Sequence, residues 1–155
     1  MSASGRLAEL GIELPPVATP VAAYIPAIRH GGTVVTSGQL PVVNGEPTIT
    51  GVVGDGVSVE SATDAARTAC LNALAAAADA AGGLDQIERI LKLVVYVASA
   101  PGFTGQPAVA NGASHLLGEV FGEAGTHVRS AVGVAALPLG VPVELELTLA
   151  VVGEE

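Results

Sequence analysis

Two runs near the C-terminal end alternate so strictly between side-chain types that their secondary structure is hardly negotiable. In the first, Val128, Ser130, Val132 and Val134 share one face, while Arg129, Ala131, Gly133 and Ala135 share the other. In the second, Val143, Leu145, Leu147, Leu149 and Val151 form an apolar face opposite Glu144, Glu146 and Thr148. A period of two is a strand's period, and Pro138, Gly140 and Pro142 fall in the connection, where a turn tolerates them. Arg129 therefore stands over a floor of very small side chains, with carboxylates expected nearby, an arrangement suited to a small anion. Two readings of that arginine stay open on the residues alone: a ligand clamp, or a salt bridge to Glu144 or Glu146.

The composition bears on what such strands pack against. Of 155 residues, 50% are hydrophobic and 14% charged, and the mean hydropathy is +0.58. One domain spanning 1–155 is expected, with residues 1–16 as an N-terminal arm. Every long apolar run is interrupted by Gly, Pro or charge, so no membrane span is expected and the surplus points to self-association. Six Lys and Arg against fifteen Asp and Glu give a net charge of −9. Without a basic stripe to offset that charge, nucleic acid is not an expected partner. Cys70 has no partner for a disulfide and lies in an alanine-rich helical pattern, as a small buried apolar residue would. No signal-type apolar core follows Met1–Arg6, and a cytoplasmic location is expected.

Read in order, the chain opens with a short amphipathic piece around Leu7 and Leu10 that ends at Pro15-Pro16. Val21–Ile28 reads as a strand interrupted by Pro26, His30-Gly31-Gly32 as a turn, and Thr33–Leu40 as the next strand, where Gly38 admits a close neighbour. Asn44-Gly45 signals a tight turn before a weak strand around Thr48–Val53. Ser58 is an N-cap for a helix running to about Ala81 and stopped by Gly82-Gly83. Its face of Val59, Ala62, Ala66, Ala69, Ala73 and Ala77 is narrow enough to lie close on a sheet. Ile87–Ala98 reads as a central strand carrying Lys92 and Tyr96. Pro107 opens a second helix that ends near Glu123, between Gly122 and Gly125. Two helices packed on one face of a mixed sheet is the economical arrangement, and its other face needs a cover that another subunit would provide.

Several chemistries find no support. His30, His115 and His127 are scattered, and no metal site is expected; His127 shares Arg129's face by alternation, but a surface or turn role is the reading preferred. There is no phosphate loop, no dinucleotide fingerprint and no nucleophile elbow. Ser37 has no sequence-local base for hydrolase chemistry.

The segments Val35-Thr36-Ser37-Gly38-Gln39-Leu40-Pro41, Leu91–Val97, Arg129-Ser130, and Val134-Ala135-Ala136-Leu137-Pro138 leading into Val143-Glu144-Leu145-Glu146 together resemble the Rid family, reactive intermediate deaminases also called YjgF-like. The resemblance runs from about Val21 to Val152. It implies a chorismate-mutase-like α+β fold, a homotrimer and sites in clefts between subunits, with no cofactor and no metal. Family members with the arginine hydrolyse 2-imino acids, or enamines of the 2-aminoacrylate and 2-aminocrotonate type, to 2-oxo acids and ammonia. These intermediates escape from pyridoxal-phosphate-dependent dehydratases.

By the same resemblance Arg129 corresponds to the carboxylate-binding arginine, Glu144 to the glutamate that positions water, and Ser37 and Tyr24 to substrate-binding hydroxyls. The family's helix asparagine corresponds to Asn111 by type and to Ser114 by counting back from Phe121. Ala22-Ala23-Tyr24-Ile25-Pro26 departs from the usual Gly-Pro-Tyr-Ser-Gln, and Phe103–Asn111 is longer than usual, which points to a divergent subgroup. Glu146 is expected to be structural. The expected function is hydrolytic deamination of a small carboxylate-bearing imine. A non-catalytic trimer that binds 2-oxo acids or similar carboxylates is the alternative. The endoribonuclease activity attached to some relatives is disfavoured by the charge and by the lack of paired His or Lys groups.

Overall fold

The computed structural model describes residues 1–20 and 22–153. Its frame is a five-stranded sheet with three helices on one side. In chain order the elements are α1 (Ala3–Glu9), β1 (Ala27–His30), β2 (Thr33–Thr36), β3 (Val42–Val43), β4 (Glu46–Pro47), β5 (Val52–Val53), β6 (Gly56–Val57), α2 (Val59–Ala81), β7 (Ile87–Ala98), α3 (Gln106–Phe121), β8 (Val128–Val134) and β9 (Val143–Val151). The sheet order is β1-β2-β9-β7-β8, with β8 parallel to β7 and the other neighbours antiparallel. β8 and β1 are therefore its free edges.

The long helix forms where its caps and spacing put it. Ser58 accepts a hydrogen bond from the Ser61 amide at the N-terminus, and Gly82, at φ +86°, closes the C-terminus in the left-handed conformation. Ala62, Ala66, Ala69, Ala73 and Ala77 are fully buried, so α2 seats directly on the sheet. Helix α3 lies just as close to α2, because a Cβ at Gly112 would overlap the Thr63 carbonyl. Under both helices, Leu93, Val95, Val97, Val143, Leu145, Leu147 and Leu149 are fully buried; truncating one such leucine to alanine costs roughly 2–5 kcal/mol. The Cys70 thiol is buried in the same core and pushed up to about 12 by burial, consistent with an inert side chain.

Four expectations about elements need correction, the briefest being the weak strand around Thr48–Val53, which is present only as Val52–Val53. Against the two helices expected, Ala3–Glu9 of the N-terminal arm forms a third, docked where Ser4 donates from its amide and hydroxyl to Asp85 and Arg6 Nε donates to the Glu119 carbonyl. The strand expected over Val21–Ile28 begins only at Ala27. Pro26 has no amide hydrogen to extend the ladder, and Ala22–Ile25 turn outside it; Val21 lies outside the described residues. The strand expected over Thr33–Leu40 stops at Thr36. Beyond it the Thr36 hydroxyl takes the place of a backbone carbonyl, accepting from the Leu147 amide at 3.0 Å. Pairing resumes only at Gln39 with Leu145. Ser37 and Gly38 are thereby lifted out of the ladder as a bulge.

Among the described residues no helix covers the other sheet face. It presents Ile28, Val35, Val128 and Val132, all exposed, between Tyr96, Glu144 and Glu146. Val128 is 66% and Val132 45% exposed on an edge strand whose outer side is unpaired.

Candidate functional site

The candidate residues fall into two groups on opposite faces of the sheet. Register settles this. Arg129 pairs with Leu93 and Ala131 with Val95, both facing the helices. Glu144 pairs with Tyr96, whose side chain points to the uncovered face. The carboxylates expected beside Arg129 are therefore absent from its surroundings in the same chain, and neither Glu144 nor Glu146 forms a salt bridge with it. Alternation correctly assigned faces within each strand; it carried no information on how two non-adjacent strands are phased.

The arginine group is assembled by β8 and α3. Arg129 Nη1 donates both of its hydrogens, to Asn111 Oδ1 at 2.8 Å and to Ser114 Oγ at 3.2 Å. Asn111 and Ser114 are three residues apart on α3 and share one face, so both alternatives for the helix position lie beside Arg129. Among the described residues neither Nε nor Nη2 of Arg129 has a partner. That edge of the guanidinium offers two parallel N–H groups at the spacing of a carboxylate. His127, read from sequence as a surface or turn residue, is half-buried and belongs here. Its Nε2 lies 2.9 Å from Ser114 Oγ and its Nδ1 2.6 Å from the Gly125 carbonyl. Its shared face with Arg129 was the available signal.

The carboxylate group lies under the bulge. The Glu144 side chain passes across Gly38, where any Cβ would overlap its carboxylate, which is the close approach expected of that glycine. Burial, and secondarily the charge of Glu146, hold the Glu144 carboxyl above its ordinary value. Glu146 accepts from the Tyr96 hydroxyl at 3.1 Å. Ser37 uses its hydroxyl hydrogen on the Ile25 carbonyl at 2.5 Å, and its amide donates to Pro26. Ser37 thus fastens the turn that presents Tyr24, which is 52% exposed. Asn72, buried in α2, donates to the Leu40 and Val42 carbonyls and pins the far side of the bulge.

Elsewhere, a depression of about 540 Å³ lies between α1 and the end of α3 beside Arg6, Asp85 and Glu119, and no residue of either group lines it. Among the described residues no three His, Cys, Asp or Glu side chains cluster as a metal-ligand set, and no helix is long and apolar enough to cross a membrane.

Comparison with known proteins agrees with this architecture. Residues 4–148 match the family model described as "YjgF/chorismate mutase-like, putative endoribonuclease". Protein TCP17 of Trypanosoma cruzi is 44% identical over 149 residues, 93% of each chain. The Agrobacterium tumefaciens protein Atu1372, of unknown function, is 42% identical over 97% of this chain and 92% of its own, with a TM-score of 0.88. Escherichia coli TdcF, solved with bound serine, is 27% identical over 88% of this chain and 93% of its own, at a TM-score of 0.63. With the expected α+β sheet and its helices in place, the chain belongs to the YjgF/Rid-like family.

Proposed function

We propose that the protein hydrolyses small 2-imino acids, or the enamines that tautomerise to them, to 2-oxo acids and ammonia in a homotrimer. The observation that carries this reading is Arg129, with Nη1 tied to Asn111 and Ser114 and its Nε/Nη2 edge free at the sheet boundary. A pinned guanidinium with a vacant fork suits a carboxylate. TdcF, a relative solved with the small carboxylate serine, supports the substrate class.

Arg129 and Glu144 occupy opposite faces and different regions of one chain, so a joint site needs two copies. The β8 edge with its Val128–Val132 strip approaches the Tyr24–Ser37–Glu144 region of a neighbour. Such a head-to-tail contact closes into a ring, with one complete cleft per interface. In that cleft Arg129 of one copy holds the substrate carboxylate and Glu144 of the next faces the imine carbon. Glu144 takes a proton from water as the oxygen attacks that carbon and returns it to the nitrogen, giving a carbinolamine. Glu144 then moves the hydroxyl proton to the amine, and as the C=O bond forms the C–N bond breaks and ammonia leaves. Tyr24, exposed beside Ser37, would close the pocket wall.

The test supplies the imine from an amino acid oxidase and follows 2-oxo acid and ammonia. Faster formation with this protein, in proportion to its concentration, is expected. Saturable 2-oxo acid binding without acceleration would replace the deaminase with a metabolite-binding trimer.

A further inference from the structure

Hydrogen bookkeeping around Arg129 is directional. The Gly125 carbonyl only accepts, so the His127 Nδ1 facing it at 2.6 Å carries a proton. In the neutral ring Nε2 then has only a lone pair and accepts the Ser114 hydroxyl at 2.9 Å. With its single hydrogen committed to His127, Ser114 turns a lone pair toward Arg129 Nη1 at 3.2 Å. Asn111 takes the other Nη1 hydrogen. From Arg129 Nη1 through Ser114 and His127 to Gly125, each donor faces an acceptor. Its far end is rigid, because Gly125 packs so tightly on α3 that a Cβ there would overlap the Leu117 carbonyl.

We infer that His127 is a positioning residue for the carboxylate clamp, fixing the Arg129 fork through Ser114 without touching the substrate. This rests on the reading of Arg129 as a carboxylate binder. A serine inside a helix otherwise tends to donate back to the carbonyl four residues earlier, here Ala110. His127 competes for that hydrogen and keeps the hydroxyl oriented. An exposed arginine also loses rotamer entropy when it is held for a ligand, and holding it before binding converts that loss into affinity.

The experiment measures 2-oxobutanoate binding by calorimetry and imine hydrolysis for His127→Leu, His127→Gln, Ser114→Ala and the Ser114→Ala/His127→Leu double variant. His127→Leu is expected to raise Kd and KM roughly tenfold, about one hydrogen bond's worth, with kcat nearly unchanged. His127→Gln, which keeps an acceptor for Ser114 and a donor for Gly125, recovers most of the loss. In the Ser114→Ala background His127→Leu adds nothing further, whereas a merely structural histidine would act additively. Wild-type affinity in His127→Leu, or an undiminished loss in the Ser114→Ala background, overturns the relay. Should the unaltered protein bind no 2-oxo acid, the carboxylate reading fails. The relay is then decided by ¹⁵N spectra of the His127 ring: a neutral Nδ1–H tautomer supports it, and any other protonation state refutes it.

Discussion

The two halves of the candidate site are held by different physics. Around Arg129 the restraint is a network of polar side chains from α3 and β8, with each Nη1 hydrogen assigned. Around Glu144 it is packing: a glycine removes the Cβ that would block the carboxylate, and partial burial raises its proton affinity. The first half suits binding a permanent charge in a fixed orientation. The second suits a base whose ionisation is tuned. On the proposed reading each needs the other from a neighbouring copy, because the two face opposite sides of the sheet within one chain.

The largest expected effect is at the clamp. Arg129→Ala should forfeit about 3 kcal/mol of transition-state binding, roughly a hundredfold in kcat/KM, with 2-oxo acid binding lost in parallel and the fold retained. Glu144→Gln should instead remove turnover while leaving 2-oxo acid affinity close to normal. Equal effects of both variants on binding would erase the division of labour.

A subtler probe is Gly38→Ala. The new methyl meets the movable end of Glu144 rather than backbone, so stability should fall by only about 1 kcal/mol. Displacing the carboxylate by an ångström should lower kcat by up to roughly a hundredfold. Unaltered kcat would show that Glu144 need not lie across the bulge.

The smallest effects are in pH dependence. Because the Glu144 carboxyl is raised in the fold, the acidic limb of kcat should fall above the ordinary carboxylate range. Glu146→Gln should move it part of the way down, since burial is the larger cause. The sign for stability is opposite to that of a salt-bridged acid. A raised carboxyl stabilises the fold below its unfolded-state pKa and loses that contribution as pH rises through the folded value. Glu144→Gln should therefore melt higher than the parent at neutral pH and no higher in acid, which thermal scans at the two extremes would check.

Local structure was legible because local chemistry dictated it: the Ser58 cap, the Gly82 stop, and the alternation of β8 and β9 all stand where the residues put them. Ser37–Gly38 read as strand because nothing in those residue types announces that the Thr36 hydroxyl will replace a carbonyl in the ladder. Asn111 and Ser114 competed for one role, yet their three-residue spacing on a helix allows both to bond one nitrogen. The contact of His127 with Ser114 is not readable from its own segment, because the partner lies thirteen residues earlier on another element. The phasing of Arg129 against Glu144 depends on long-range register, which alternation within each strand does not encode.

Subunit complementation tests the central claim most directly. Arg129→Ala and Glu144→Gln chains, each expected to keep little activity alone, would be co-expressed with different affinity tags, and assemblies carrying both would be isolated. A site shared head-to-tail between copies leaves one intact cleft in every mixed trimer, so about a third of wild-type imine hydrolysis should return. Doubly tagged assemblies as inactive as their parents would contradict it.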